Sequence, residues 1–132
     1  MRLADVRDFV ASLGIAEDEN VYMHKMPEKP EQCIGVYPLK RAGRKIPIGG
    51  WENARYGILN VSMLIHWNKS YRQTEDVADS LCRMLQEVRA APVNNQTIKF
   101  IILSEESPVD VGTDNEGICE MVIEAFFYYD RR

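Results

Sequence analysis

ILNVSMLIHW, residues 58–67, decides how this chain folds. Leu59, Val61, Met63, Ile65 and Trp67 occupy alternate positions, with Asn60, Ser62 and His66 between them. A strand puts such an alternation on one face, because successive side chains point to opposite sides of the pleat. The odd face therefore has to be covered. Residues 119–129 repeat the pattern: Cys119, Met121, Ile123, Ala125, Phe127 and Tyr129 alternate with Glu120, Val122, Glu124, Phe126 and Tyr128. They form a long final strand, entered through the turn residues Asp114-Asn115-Glu116-Gly117.

The covering elements lie on either side of this pair in sequence. Leu3, Val6, Phe9, Val10 and Leu13 recur at helical spacing and predict a helix over about residues 2–13, stopped by Gly14. Thr74 is the expected cap of a second helix, with Glu75 and Asp76 in its first turn and Val77, Leu81, Met84, Leu85 and Val88 as its stripe. Arg89 and Pro92 mark where it stops. VYMHKM (21–26) and CIGVYPL (33–39) read as short strands, the second ending at a sheet edge because Pro38 has no backbone donor. IKFIIL (98–103) is a continuous apolar run, as expected of a strand covered on both faces, although a short run alone also fits a buried helix.

The predicted order is helix, two strands, loop, strand, helix, two strands. This gives an α+β two-layer sandwich, with a mixed, mostly antiparallel sheet of about four to five strands and two helices on one face. The connection from Trp67 through the second helix to Ile98 is long enough for a crossover between parallel strands. With 132 residues, the expectation is one domain, 1–132, holding a mobile loop at about 40–57 and an acidic hairpin at about 104–118.

Composition narrows the function. Charged residues are 27% and hydrophobic residues 45%, as in an ordinary globular domain, and the net charge of −4 argues against nonspecific nucleic-acid binding as the main activity. No run is long and apolar enough to cross a bilayer, and MRLADVRDFV has charges where a signal peptide needs an apolar stretch, so a soluble, non-secreted chain is expected. Cys33, Cys82 and Cys119 form no CxxC pair and sit in apolar stretches, where cysteine behaves as a small buried hydrophobe.

Signatures of catalysis are missing. GxGxxG, P-loop, GxSxG and HExxH patterns do not occur, and Gly49-Gly50 has no following helix to bind phosphate. His24 and His66 read as surface or satisfied strand histidines. The expectation is no enzyme, with no catalytic, cofactor-binding or metal residues and no cofactor.

Charge is instead segregated. Residues 40–57 carry Lys40, Arg41, Arg44, Lys45 and Arg55 against Glu52, a balance of +4, with Trp51 as an aromatic anchor; the rest of the chain is therefore −8. Residues 104–120 hold Glu105, Glu106, Asp110, Asp114, Glu116 and Glu120 without a lysine or arginine, at a spacing that does not fit a calcium loop. A solvated loop and a solvated acidic hairpin are the plain reading. The alternative is that the loop orders against an acidic surface, with Glu105, Glu106, Asp110, Asp114 and Glu116 of a neighbouring copy as that surface. If loop and hairpin lie on opposite sides of the domain, copies join head to tail and close into a ring.

The leading helix, VYMHKMPEKPEQCIGVYPL, the loop GRKIP, ILNVSMLIHW, the second helix and SPVDVGTDNEGICEMVIEAFFYYDR together resemble the minor capsid proteins of tailed bacteriophages. More broadly they resemble the neck proteins that complete or terminate phage tails. The resemblance rests on the Pro-rich turn before CIGVY, the spacing from Tyr37 through Gly43 to Pro47, and the GTDNEG turn before the last strand. It implies a non-catalytic virion component, assembled in the bacterial host cytoplasm as a ring at the head-tail junction, with a hexamer as one ring size. Its implied partners are itself and other neck or tail proteins, with DNA passing through the lumen without sequence-specific contact and no membrane. The competing class is a small ferredoxin-like enzyme or ligand-sensing domain, which a pocket with convergent polar groups between helices and sheet would favour.

Overall fold

A computed structural model of the chain describes residues 1–23, 30–39 and 56–130. His24, most of the Pro27 to Pro30 segment and the basic loop up to Arg55 lie outside them. The architecture is α+β: two helices on a seven-stranded mixed sheet curled into a half-barrel.

The two alternating stretches pair with each other at the centre. β3 (Tyr56–His66) and β7 (Cys119–Asp130) run antiparallel from Tyr56 opposite Asp130 to His66 opposite Glu120. Residues directly opposite share a face, so this register lays Val61 with Ala125, Met63 with Ile123 and Ile65 with Met121, and all six are buried. Outward on one side come β2 (Cys33–Pro38), antiparallel to β3, and β1 (Val21–Met23), parallel to β2. Pro38 has no strand beyond it among the described residues, because β1 faces only Ile34–Val36. On the other side lie β5 (Gln96–Leu103) and β4 (Ala91–Val93), with β6 (Val109–Thr113) further along the same edge of β7.

The sheet thus exceeds the expected four to five strands. β4 comes from the stretch in which Pro92 was expected only to stop a helix. It is joined to β5 by Asn94-Asn95, both at positive φ (47° and 51°), the geometry of a tight hairpin turn. β6 emerges from the acidic segment, and all five of its residues are exposed, so burial imposed no alternation on its sequence. The expected parallel relation between the strands flanking the second helix takes a split form. β3 and β5 run the same way, but β7 lies antiparallel between them, and the directly hydrogen-bonded parallel pair is β1 with β2.

Both helices cover the odd face. α1 (Leu3–Ser12) buries Val6, Phe9 and Val10, and Phe9 meets Phe127 edge to face with centroids 6.3 Å apart. α2 (Tyr71–Gln86) starts earlier than its sequence suggested: Ser70 is the cap, accepting from the Gln73 amide at 3.3 Å. Thr74 lies inside the helix, fully buried, its hydroxyl donating to the Ser70 carbonyl at 2.9 Å. The buried stripe is accordingly Thr74, Ala78, Leu81, Cys82 and Leu85, while Met84 faces solvent. All three cysteines are buried thiols.

With the helices on one face, the other face of the sheet has no covering layer among the described residues. β5 shows the consequence. Ile98 and Ile101 are buried, but Ile102 is 46% exposed, so IKFIIL is not covered on both sides. Its Phe100 and Ile102 share the outer face with Ile58, Leu64, Val122, Phe126 and Tyr128, and Phe100 stacks on Tyr128 at 4.5 Å.

Candidate functional site

The acidic segment lies along the β6 side of β7. Glu105 and Glu106 are exposed in the bend that follows β5, Asp110 is on β6, and Asp114 and Glu116 form the turn into β7. Lys40, Arg41, Arg44, Lys45, Trp51 and Arg55 fall outside the described residues, but the points where the chain enters and leaves that segment are clear. Leu39, at the end of β2, donates to the Asn60 carbonyl at 3.1 Å, and Tyr56 begins β3 opposite Asp130. The acidic turn lies at the opposite end of β3, where the Trp67 amide donates to the Cys119 carbonyl at 3.2 Å. At a strand rise of roughly 3.3 Å per residue, the two ends are about 30 Å apart.

Asp114 organises the turn. Its Oδ1 accepts from the Glu116 and Ile118 amides at 2.9 and 3.0 Å, and Gly117, at φ +83°, supplies the left-handed residue that closes it. Its Oδ2 accepts from Nε2 of His66 at 2.7 Å. The imidazole, 2% exposed, reaches across the sheet to a third element: Nδ1 is 2.9 Å from the Glu31 carbonyl, in the segment leading into β2. Each ring nitrogen lies within hydrogen-bond distance of an oxygen. His66 thereby ties the entry to β2, the end of β3 and the β6–β7 turn together. The hydrogen bond from His66, helped by the Ile118 amide, holds the Asp114 carboxyl at about 2, below its ordinary value.

Cys33 Sγ lies 3.7 Å from Nδ1, giving the order Cys, His, Asp that thiol hydrolases use. The surroundings do not support that chemistry. Cys33 is fully buried and the Glu31 carbonyl already occupies Nδ1, so the ring nitrogen that would take the thiol proton is engaged and no substrate reaches the sulfur. Among the described residues, no group of three or more His, Cys, Asp and Glu side chains is placed to hold a metal ion, and no helix is long and apolar enough to cross a membrane. On the same outer face the Tyr37 hydroxyl donates to that of Tyr22 at 3.2 Å, and burial pushes the Tyr22 phenol well above its ordinary range.

What the arrangement offers is a surface. The acidic residues do not converge on one point: Asp114 is turned inward to His66, while Glu105, Glu106 and Glu116 are exposed and form no ion pair with another described residue. Sequence reasoning placed Asp114 with the solvated carboxylates and His66 among surface or satisfied histidines. The satisfied reading holds for His66, but its role as anchor of the acidic turn depends on a contact 48 positions away that no local signal carries.

A family model described as bacteriophage tail terminator protein matches residues 9–131. No curated protein matches the chain.

Proposed function

The chain belongs to the bacteriophage tail terminator family, and from that premise we propose that it acts at the head-tail junction as a ring of identical copies joined head to tail. It is a structural component of a phage tail, and so of the virion. In the proposed ring, the basic sequence of one copy, Lys40, Arg41, Arg44, Lys45 and Arg55 with Trp51 as anchor, meets the acidic edge of the next at Glu105, Glu106, Asp110 and Glu116. Asp114 sets the shape of that edge from within. Assembly takes place in the host cytoplasm, other neck or tail proteins stack on the ring, and DNA passes through its lumen without being read. Family membership says nothing of catalysis here, and the buried Cys33–His66 contact offers no open site.

The observation that supports the head-to-tail arrangement is where the chain enters and leaves the basic segment relative to the acidic turn. Tyr56, where the chain leaves the basic segment, and the acidic turn sit at opposite ends of β3, while Leu39, where the chain enters that segment, lies beside Asn60. Complementary patches at opposite ends of a protomer make a heterologous contact, and such contacts close into rings when the rotation allows. Charge reversal with rescue tests it. Changing Arg41, Arg44 and Lys45 to Glu should block association in sedimentation or native mass measurements. A second copy with Glu105, Glu106 and Asp110 changed to Lys should restore mixed oligomers. Unchanged oligomer mass for the first variant at low and moderate salt would refute the contact, and a block without rescue would move it to another partner.

A further inference from the structure

The two edges of the sheet are finished differently. On the β1 side, Arg7 of α1 donates from Nε to the Val21 carbonyl at 2.8 Å, which blunts that edge as natural sheets do. On the other side, β4 faces only Gln96–Ile98, and among the described residues no strand lies beyond the rest of β5 or beyond β6. This second edge is also broken. Leu103 pairs with Ala125 and Val109 with Val122, so residues 104–108 must bow out between β7 partners only three positions apart. The bow leaves a notch of about 300 Å³ lined chiefly by Glu105, Ser107, Val109, Val111, Val122 and Glu124. Its lining thus combines three valines with two carboxylates. Val109 and Val111 are 46% and 51% exposed, an unusual amount of open β-branched surface on a strand that pairs with β7 on one side and has no described strand on the other.

We infer that this notch seats an apolar side chain of a second copy of this chain, carried by that copy's cationic sequence 40–55. The inference rests on the head-to-tail pairing above and adds how that pairing gains its specificity. Charge complementarity picks the occupant. Four of the lining residues, Glu105, Ser107, Val109 and Val111, belong to a stretch, residues 104–120, with six carboxylates and no lysine or arginine, and the sequence 40–55 has a balance of +4. That sequence also interleaves its cations with Ile46, Ile48 and Trp51, so a large apolar group and a neighbouring cation arrive together. Charges on an open rim steer and orient but contribute little once screened, whereas an apolar group leaving water in a lined notch supplies affinity that salt does not remove.

Val111→Glu separates the two effects, because it makes the edge more acidic while spoiling the notch. Under charge attraction alone it leaves self-association unchanged or tighter. Under seating it weakens self-association by about tenfold or more, measured by sedimentation velocity on the full chain at low and high salt. Val111→Ser, which removes the apolar surface without adding charge, should weaken association in the same direction, and Val111→Ile should preserve it. The position is exposed, so circular dichroism should show all three folded. If Val111→Glu and Val111→Ser associate like the parent while the Glu105, Glu106 and Asp110 reversals block association, the notch is wrong and the charge pairing stands. If those reversals have no effect, the pairing fails. If the valine variants still weaken association in that case, the notch takes a different occupant, and the inference is overturned as well.

Discussion

Replacing His66 by Phe tests whether the buried imidazole holds the acidic turn in place. Phe keeps a ring of comparable size in a site that is 2% exposed, so the substitution removes both ring nitrogens without opening a large cavity. Two acceptors lose their partner: the Glu31 carbonyl at 2.9 Å and Asp114 Oδ2 at 2.7 Å. Water can replace the bond to Asp114, whose side chain is 27% exposed, so the main loss is the bond to the carbonyl. Removing one partner of a buried hydrogen bond costs about 1–3 kcal/mol. For a chain of 132 residues, an unfolding entropy of roughly 2.1 cal/mol/K per residue amounts to about 0.28 kcal/mol/K, and a loss of about 2 kcal/mol lowers Tm by about 7 °C. Thermal unfolding followed by circular dichroism at neutral pH measures this. Hydrogen exchange adds the local readout, because the Glu116 and Ile118 amides, held by Asp114 at 2.9 and 3.0 Å, should exchange faster relative to amides in β3 and β7. A Tm within about 1 °C of the parent, with exchange at the turn unchanged, would refute the anchoring role of His66.

Leu81→Ala should cost about 2–5 kcal/mol, since the side chain is fully buried in the core under α2, and urea titration measures it; a cost near zero would mean that α2 does not pack there. Asp114 gives an acid dependence. Its folded-state carboxyl, at about 2, lies below its ordinary 3.8, so its contribution is complete above the ordinary value and is lost as pH falls through the folded one. The stability difference between the parent and Asp114→Asn should therefore be flat from pH 7 to about 5 and shrink between about 4 and 2. A difference that is constant across the whole range would remove the proposed link to His66.

The two long strands and both helices were legible because each buries a single face, and burial writes a period into the sequence. Val61, Met63 and Ile65 fall where alternation puts them, and so do Met121, Ile123 and Ala125. Misreadings occur where burial does not impose a period. β6 has five exposed residues and hence no alternation. β4 is three residues long around Pro92, although its Asn94-Asn95 turn was a readable signal. In α2 local chemistry pointed to Thr74 as cap, but the packing of the helix on the sheet buries Thr74 within it, and Ser70 is the cap.

By itself, the sequence determined the α+β class, the two long alternating strands, the helical faces and the separation of basic from acidic residues along the chain, since each is a property of neighbours along the chain. Tertiary structure alone decided the strand order that sets β7 between β3 and β5, the bow at residues 104–108, and the meeting of His66 with Asp114 and the Glu31 carbonyl. The physical reason is separation. A contact between residues 35 or 48 positions apart depends on which strands lie side by side, and spacing along the chain does not record that.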